Sequence, residues 1–360
     1  MNAQVISPTD SDWQKCLDTI PHDFYHLPGY LELEAQRHHG NPEAVIVRDG
    51  EQVFFLPYII RDCHQTLELD RLGSDPIYDI ISPYGYPGML VNPAGQNPTF
   101  IANCLNTIYE RWQEKNICSV FLRLHPIINS YIDPTTSNPD RFLIRERGDV
   151  VICDLTDDAE EIWKQMRASH RTKINKLRRA GFIANMEKVN EYLDIFIDIY
   201  LETMSRVNAN AAYFFTRSYF EKFCEALGEG LYICVVEIDG EAAAASLVTE
   251  YNGIVQYHLG GTKTKFLPQS PTTIMFDRVI RWGQQRGNKY LNLGGGLGGS
   301  RDSLYHFKSG FSDRVASFMT MQSIVNQDLY DRLTHARAET LNKKISEFEN
   351  TSFFPLYRSC

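Results

Sequence analysis

Lys289 to Asp313 reads KYLNLGGGLGGSRDSLYHFKSGFSD. It opens as a short apolar strand, Tyr290 to Leu293, and then places five glycines within six residues, Gly294 to Gly299. Glycine at that density permits positive φ and close backbone approach to a ligand, at an entropic cost that an ordinary loop does not carry. The stretch is therefore a candidate site, with a tight connection as the plainer alternative. Beyond it, Leu304, Phe307 and Phe311 keep helical spacing, which predicts that they anchor the turn and leave Tyr305 and Lys308 to point elsewhere. A lysine fixed beside a glycine loop can neutralise oxyanion or phosphate charge.

The strand end Leu293-Gly294-Gly295-Gly296, followed by Ser303-Leu304-Tyr305-His306-Phe307-Lys308-Ser309-Gly310-Phe311, resembles the carboxy-terminal signature of the FemABX-like branch of the GNAT acyltransferases. Glu202 to Arg206 with Tyr213-Phe214-Phe215 resembles that family's helix and substrate loop, and Ile81 to Gly88 resembles its amino-terminal domain. The resemblance spans most of the chain. It implies an α/β fold of mixed sheets in two tandem GNAT-like domains. It also implies transfer of an acyl or aminoacyl group from a co-substrate, acyl-CoA or aminoacyl-tRNA, to an amine, with no permanently bound cofactor and no metal. By the same resemblance Lys308 stabilises the oxyanion of the tetrahedral intermediate. Tyr305 and Tyr257 are candidates to shuttle the amine proton or orient the amine, and Gly294, Gly295 and Gly296 to contact the co-substrate.

At 360 residues the chain is long for one core, and roughly two domains of about 150 to 200 residues each are expected. The predicted division is 1–150, 151–345 carrying the active site, and a tail 346–360. A net charge of −9 argues against a large nonspecific nucleic-acid surface. The cysteines at 16, 63, 104, 118, 153, 224, 234 and 360 form no C-x-x-C pair and read as buried thiols of a reducing compartment. No run reaches the roughly 20 apolar residues of a membrane helix, and no signal peptide is expected. A cytoplasmic location is expected.

Along the first half, a helix is predicted from Pro28 to Arg37. Strands Ala44 to Val47 and Val53 to Ile60 should be joined at Asp49-Gly50. His22, His26, His38 and His39 lack Cys or carboxylates at ligand spacing and read as surface or helix-end residues. Residues 73 to 93 interleave Gly73, prolines and Tyr78, Tyr84 and Tyr86, an ordered loop that feeds a short strand, Gly88 to Val91, and in which Tyr84 is a candidate substrate contact. A helix from Pro98 to Lys115, a strand from Cys118 to Leu124, a loop over 129–147 and a closing strand Val150 to Leu155 complete the first domain.

The segment Trp163 to Arg179 carries seven Lys and Arg residues with almost no acid. It reads either as a phosphate-recognition surface or as a solvated helix face. Family resemblance favours recognition of the acceptor, for which Lys173 and Arg178 are the candidates. Arg206, Asn208 and Tyr213 follow a helix predicted from Tyr192 to Met204, where a polar loop can reach substrate. Strands Leu231 to Ile238, Ala243 to Tyr251 and Ile254 to Leu259 are joined by Asp239-Gly240 and Asn252-Gly253 in a meander. Asp49-Gly50-Glu51 and Asp239-Gly240-Glu241 stand 190 residues apart and hint at duplication. Lys263, Lys265, Ser270 as N-cap, Pro271 and Thr272 predict a helix start suited to a pyrophosphate. The segment lacks the glycine-rich Q/R-x-x-G-x-G/A loop with which GNAT enzymes hold coenzyme A.

No Ser-His-Asp or Cys-His arrangement is visible, so direct transfer is expected rather than a covalent intermediate. The expected acceptor is a small-molecule or envelope-precursor amine, including an amino sugar, and tRNA is a candidate partner. The family's tRNA-associated helical hairpin has no obvious counterpart here. Two rival readings need no catalysis: one uses the same glycine loop and basic segment to bind a phosphorylated glycan, and the other uses Trp163 to Arg179 as the basic surface of a tRNA-binding protein.

Overall fold

The computed structural model describes residues 1–67, 75–133, 140–349 and 353–359. Gly73, Cys360 and part of the 129–147 run lie outside them. The chain divides into two compact units, one of residues 1–146 with 318–360 and the other of residues 147–317.

In the first unit, β1 (Asn2–Ile6), β2 (Gly40–Asp49), β3 (Gln52–Asp62) and β4 (Tyr78–Ile81) pair antiparallel in that order. A short β5 (Leu90–Val91) pairs with β3, and β4 lies parallel to β6 (Ile117–Arg123). Between β5 and β6 runs the helix Pro98–Glu114, started by Asn97, whose side chain accepts from the Phe100 N–H at 2.8 Å. Its stripe Phe100, Cys104, Ile108 and Trp112 is buried against the sheet, as the 3.6-residue period requires.

The second unit repeats the plan. After β7 (Leu143–Asp154), β8 (Ile183–Lys188), β9 (Leu231–Ile238), β10 (Glu241–Tyr251) and β11 (Ile254–Thr262) pair antiparallel in order. β11 then lies parallel to β12 (Tyr290–Gly294). The helix Thr272–Gln285 joins these last two and buries Ile274, Met275, Phe276, Val279 and Ile280. In each unit one more strand completes the sheet antiparallel to the last of these, β6 or β12, and it is not the strand that follows next in sequence. β7 pairs with β12 through residues 151–154, whereas β13 (Val315–Ile324) pairs with β6 through residues 320–324.

This exchange corrects the expected division. Val150 to Leu155 does not close the first unit, and the second does not run to 345. Residues 318–360 belong to the first unit, where the helix Gln327–Thr340 and Tyr357 are packed, so 346–360 is not a separate tail. The loop expected over 73–93 contains the strand β4. The basic segment is two helices, Ala159–Gln165 and Ala168–Arg179, broken at Met166 and Arg167. Among the described residues no group of three or more His, Cys, Asp or Glu is placed to hold a metal ion, and no helix is long and apolar enough to cross a membrane.

Candidate active site

β11 and β12 pair only where Ile254, Val255 and Gln256 face Tyr290, Leu291 and Asn292. Beyond that point β11 continues to Thr262, while β12 shifts register at a bulge between Asn292 and Gly294 to pair with Val151 of β7. The two strands part there. Asn292 sits at the fork, wholly buried, its Oδ1 accepting from the Gly294 N–H at 2.8 Å and its Nδ2 without a partner. The turn away needs glycine twice. Gly294 has φ +75°, and a side chain at Gly295 would bring Cβ to 2.5 Å from the Asp149 carbonyl.

Lys308 closes this corner. It is the last residue of the helix Ser303–Lys308, only 6% exposed, and its Nζ donates to the Gly295 carbonyl at 2.8 Å and lies 5.7 Å from the Tyr257 ring centre. Burial lowers its pKa to about 8, partly opposed by the Asp302 carboxylate. Burial also raises the Tyr257 phenol above its ordinary range. Asp302 starts the helix by accepting from the Tyr305 N–H at 2.9 Å, and its other oxygen accepts from the Leu297 N–H at 3.0 Å. Those two bonds tie the glycine loop to the lysine helix and hold the Asp302 pKa down.

Of the predicted anchors, Phe307 and Phe311 do pack against the core, but the rest of the expected facing does not hold. Leu304 is 40% exposed, whereas Tyr305 and Lys308 are buried, so neither points freely outward. Tyr305 packs within the core of the unit, with the Arg301 guanidinium 5.6 Å from its ring.

At the far end of β11 the structure gathers Lys263, Lys265 and Thr272 differently from expectation. Lys263 Nζ reaches a Glu241 carboxylate oxygen at 3.3 Å, and Lys265 pairs with the other oxygen. Ser270 is not an N-cap. It is left-handed, with φ +55°, and ends the preceding turn Thr264–Gln269, so Pro271 takes the cap position. Its carbonyl, rather than its hydroxyl, receives the Thr273 N–H at 3.1 Å. Thr272 Oγ1 meets Thr262 Oγ1 at 2.9 Å.

Arg206 donates to the Thr262 carbonyl at 2.9 Å and to Thr264 Oγ1 at 3.1 Å, which fastens the helix Leu193–Arg206 to the end of β11. Asn208, left-handed and exposed, follows that helix, and the Tyr213 carbonyl accepts from the Tyr200 hydroxyl at 2.8 Å. Arg178 donates to the buried Asp277 at 2.5 Å and lies over the Trp163 ring, while Lys173 is partly exposed on the same helix. Tyr84 belongs to the first unit, its N–H bonded to Glu34 and its carbonyl to the Tyr30 hydroxyl. Lys308, Tyr257 and the Gly294–Gly296 loop are thus brought together. Arg178 and Lys173 lie on a separate helix.

Sequence reading missed Asp302, Asn292 and Glu241. Asp302 carried a signal, an Asp just before an apolar turn, which is an N-cap pattern. Asn292 inside a strand and Glu241 beside a hairpin turn carried none.

Residues 164–309 match the family model of the acetyltransferase (GNAT) domain. No curated protein matches the sequence. Among solved structures, FemX is similar with a TM-score of 0.68 at 13% identity, covering 92% of this chain and 99% of its own. L-PGS from Bacillus licheniformis is similar with a TM-score of 0.55 at 15% identity, covering 89% and 93%. The C-terminal domain of a putative lysylphosphatidylglycerol synthetase from Agrobacterium fabrum gives a TM-score of 0.55 at 12% identity, covering 91% and 96%. Residues 164–309, within the second unit, are therefore similar to the acetyltransferase (GNAT) domain, and the fold of the chain is similar to that of FemX.

Proposed function

We propose that the fork between β11 and β12 transfers an acyl or aminoacyl group from an activated carrier to an amine. The amine nitrogen attacks the carbonyl carbon, the carbonyl electron pair moves to oxygen, and the amine proton leaves. The carrier then departs with its bonding pair, as a thiolate from acyl-CoA or an alkoxide from aminoacyl-tRNA, and takes up a proton. Lys308 is the oxyanion stabiliser in this reading. The carrying observation is its geometry, a buried ammonium at the fork with one N–H committed to Gly295, which leaves two for a substrate oxygen. Tyr257 and Tyr305 are the proton-moving or orienting candidates.

The carrier's phosphates are assigned to Lys263, Lys265, Ser270 and Thr272, where an arriving anion competes with Glu241 for both ammonium groups. Gly294, Gly295 and Gly296 line the acyl path. Lys173, Arg178, Arg206, Asn208 and Tyr213 are assigned to the acceptor, an amine of an envelope precursor or amino sugar. The buried free thiols agree with a reducing, cytoplasmic setting. The test screens acyl-CoAs and charged tRNAs against amine acceptors with wild type, Lys308→Ala and Lys308→Arg. Alanine should cost about 10² to 10³ in rate, as for loss of one oxyanion donor. Full activity in Lys308→Ala rejects the assignment.

A further inference from the structure

The helix that carries Lys308 has six residues, too few to hold its own direction, and its last carbonyls, met from the following turn by the Gly310 N–H on Phe307 at 3.1 Å and by Ser309 Oγ on His306 at 3.1 Å, each keep a second acceptor position. Side chains from the front of the basic helix occupy them. Arg167 Nη1 donates to the His306 carbonyl at 3.1 Å, and His170 Nε2 donates to the Phe307 carbonyl at 2.9 Å. The Arg167 backbone N–H donates to the Gly310 carbonyl at 2.8 Å, and its Nη2 reaches Ser309 Oγ at 3.3 Å. The His170 ring stands edge-on to Phe311, with centres 4.6 Å apart, and close to Phe307. Gly310 has no room for a side chain, because a Cβ would fall 2.4 Å from the same imidazole.

The arrangement suits the electrostatics. A helix carboxy end carries partial negative charge, and Arg167 brings a permanent cation to it. Asp302 fixes the front of the helix, and Arg167 with His170 fix the rear, next to Lys308 itself. The basic segment thus directs part of its charge to the chain's own carbonyls. Arg171 likewise donates to the carbonyls of Lys164 at 2.8 Å and Met166 at 2.5 Å.

We propose that Arg167 and His170 are positioning residues for the transfer reaction, holding the lysine helix so that the Lys308 ammonium stays at the Gly295 carbonyl. The proposal rests on the role given to Lys308 above, yet its first test needs no substrate. The full chain is trace-labelled with acetic anhydride, and modification of Lys308 is measured by mass spectrometry relative to exposed Lys289. The variants are Arg167→Ala against Arg167→Lys, and His170→Leu against His170→Gln. Lysine and glutamine retain an N–H donor, while leucine keeps apolar packing against the two phenylalanines.

Alanine and leucine should raise the Lys308-to-Lys289 ratio roughly tenfold, the scale of losing one charge-assisted or buried hydrogen bond. Lysine and glutamine should return it toward wild type, with melting temperatures close together. Equal ratios in His170→Leu and His170→Gln, with Arg167→Ala at the wild-type ratio, overturn the proposal. If Arg167→Ala unfolds, the histidine pair decides alone. Where turnover is measurable, kcat should fall in the alanine and leucine variants with KM little changed. A wild type inactive with every donor removes the proposed function and leaves the labelling result standing.

Discussion

Lys308 Nζ donates to the carbonyl oxygen of Gly295 at 2.8 Å, in a corner where only 6% of the lysine is exposed. The partner is a neutral carbonyl, and the Asp302 carboxylate acts on the ammonium only as a weaker, opposing influence on its pKa. The ammonium is therefore under-compensated, which suits a group meant to meet a charge that develops only in the transition state.

Activity should fall as pH rises through the Lys308 pKa. The ammonium is the useful form, and it is lost above about 8. A pH–rate profile of wild type should show a descending alkaline limb near that value. Lys308→Arg, whose charge persists, should lose that limb while running at a lower plateau. An unchanged limb in the arginine variant assigns it to another group.

Stability gives an independent readout. The folded pKa of Lys308, about 8, lies below its ordinary 10.5, so between those values the unfolded chain binds more protons and stability rises with pH. Below about 8 the buried charge costs about 3 kcal/mol relative to the high-pH limit. Lys308→Met should therefore match or exceed wild-type stability at neutral pH, and the difference should move in favour of wild type as the pH approaches 10.5. Denaturant melts at pH 7 and pH 10 measure this, and a variant that is much less stable at neutral pH makes the lysine structural.

The hairpins at Asp49-Gly50, Asp239-Gly240 and Asn252-Gly253 were legible because their turns need left-handed residues: Gly50, Asp239, Gly240, Asn252 and Gly253 all have positive φ. The helix Pro98–Glu114 was legible from one apolar stripe. The strand exchange was not, since β7 and β13 look the same whichever sheet they complete. The lysine helix misled because six residues give too short a period to fix a face, and its orientation is set by Asp302, Arg167 and His170, of which the latter two lie more than a hundred residues away. Ser270 misled because Ser-Pro fits an N-cap equally well as it fits the left-handed turn residue that it is.

Glu241 holds both Lys263 and Lys265. Glu241→Gln should free their charges without removing them, so pyrophosphate or coenzyme A should bind more tightly than to wild type. Calorimetry at two salt concentrations checks this, and the gain should shrink at the higher one, because these are exposed charges. No binding to either protein removes Lys263 and Lys265 from the carrier site.

In the first unit, Asp79 is wholly buried and receives four guanidinium bonds, from Arg61 at 2.8 and 3.0 Å and from Arg358 at 2.7 and 3.0 Å. The Tyr357 hydroxyl adds a fifth at 3.1 Å. Burial works against the ionised carboxylate, yet the two guanidiniums outweigh it and hold the Asp79 pKa below its ordinary value. Asp79→Asn would leave two cations facing each other, and removing one side of such a buried cluster typically costs about 3 to 5 kcal/mol. Arg358→Ala should cost less, because Arg61 remains paired. A double-mutant cycle between Asp79→Asn and Arg358→Ala, read by denaturant melts, should show strong coupling. Additive effects would mean that Arg358 holds the carboxy-terminal segment by packing alone, and that the charge on Asp79 is satisfied by Arg61.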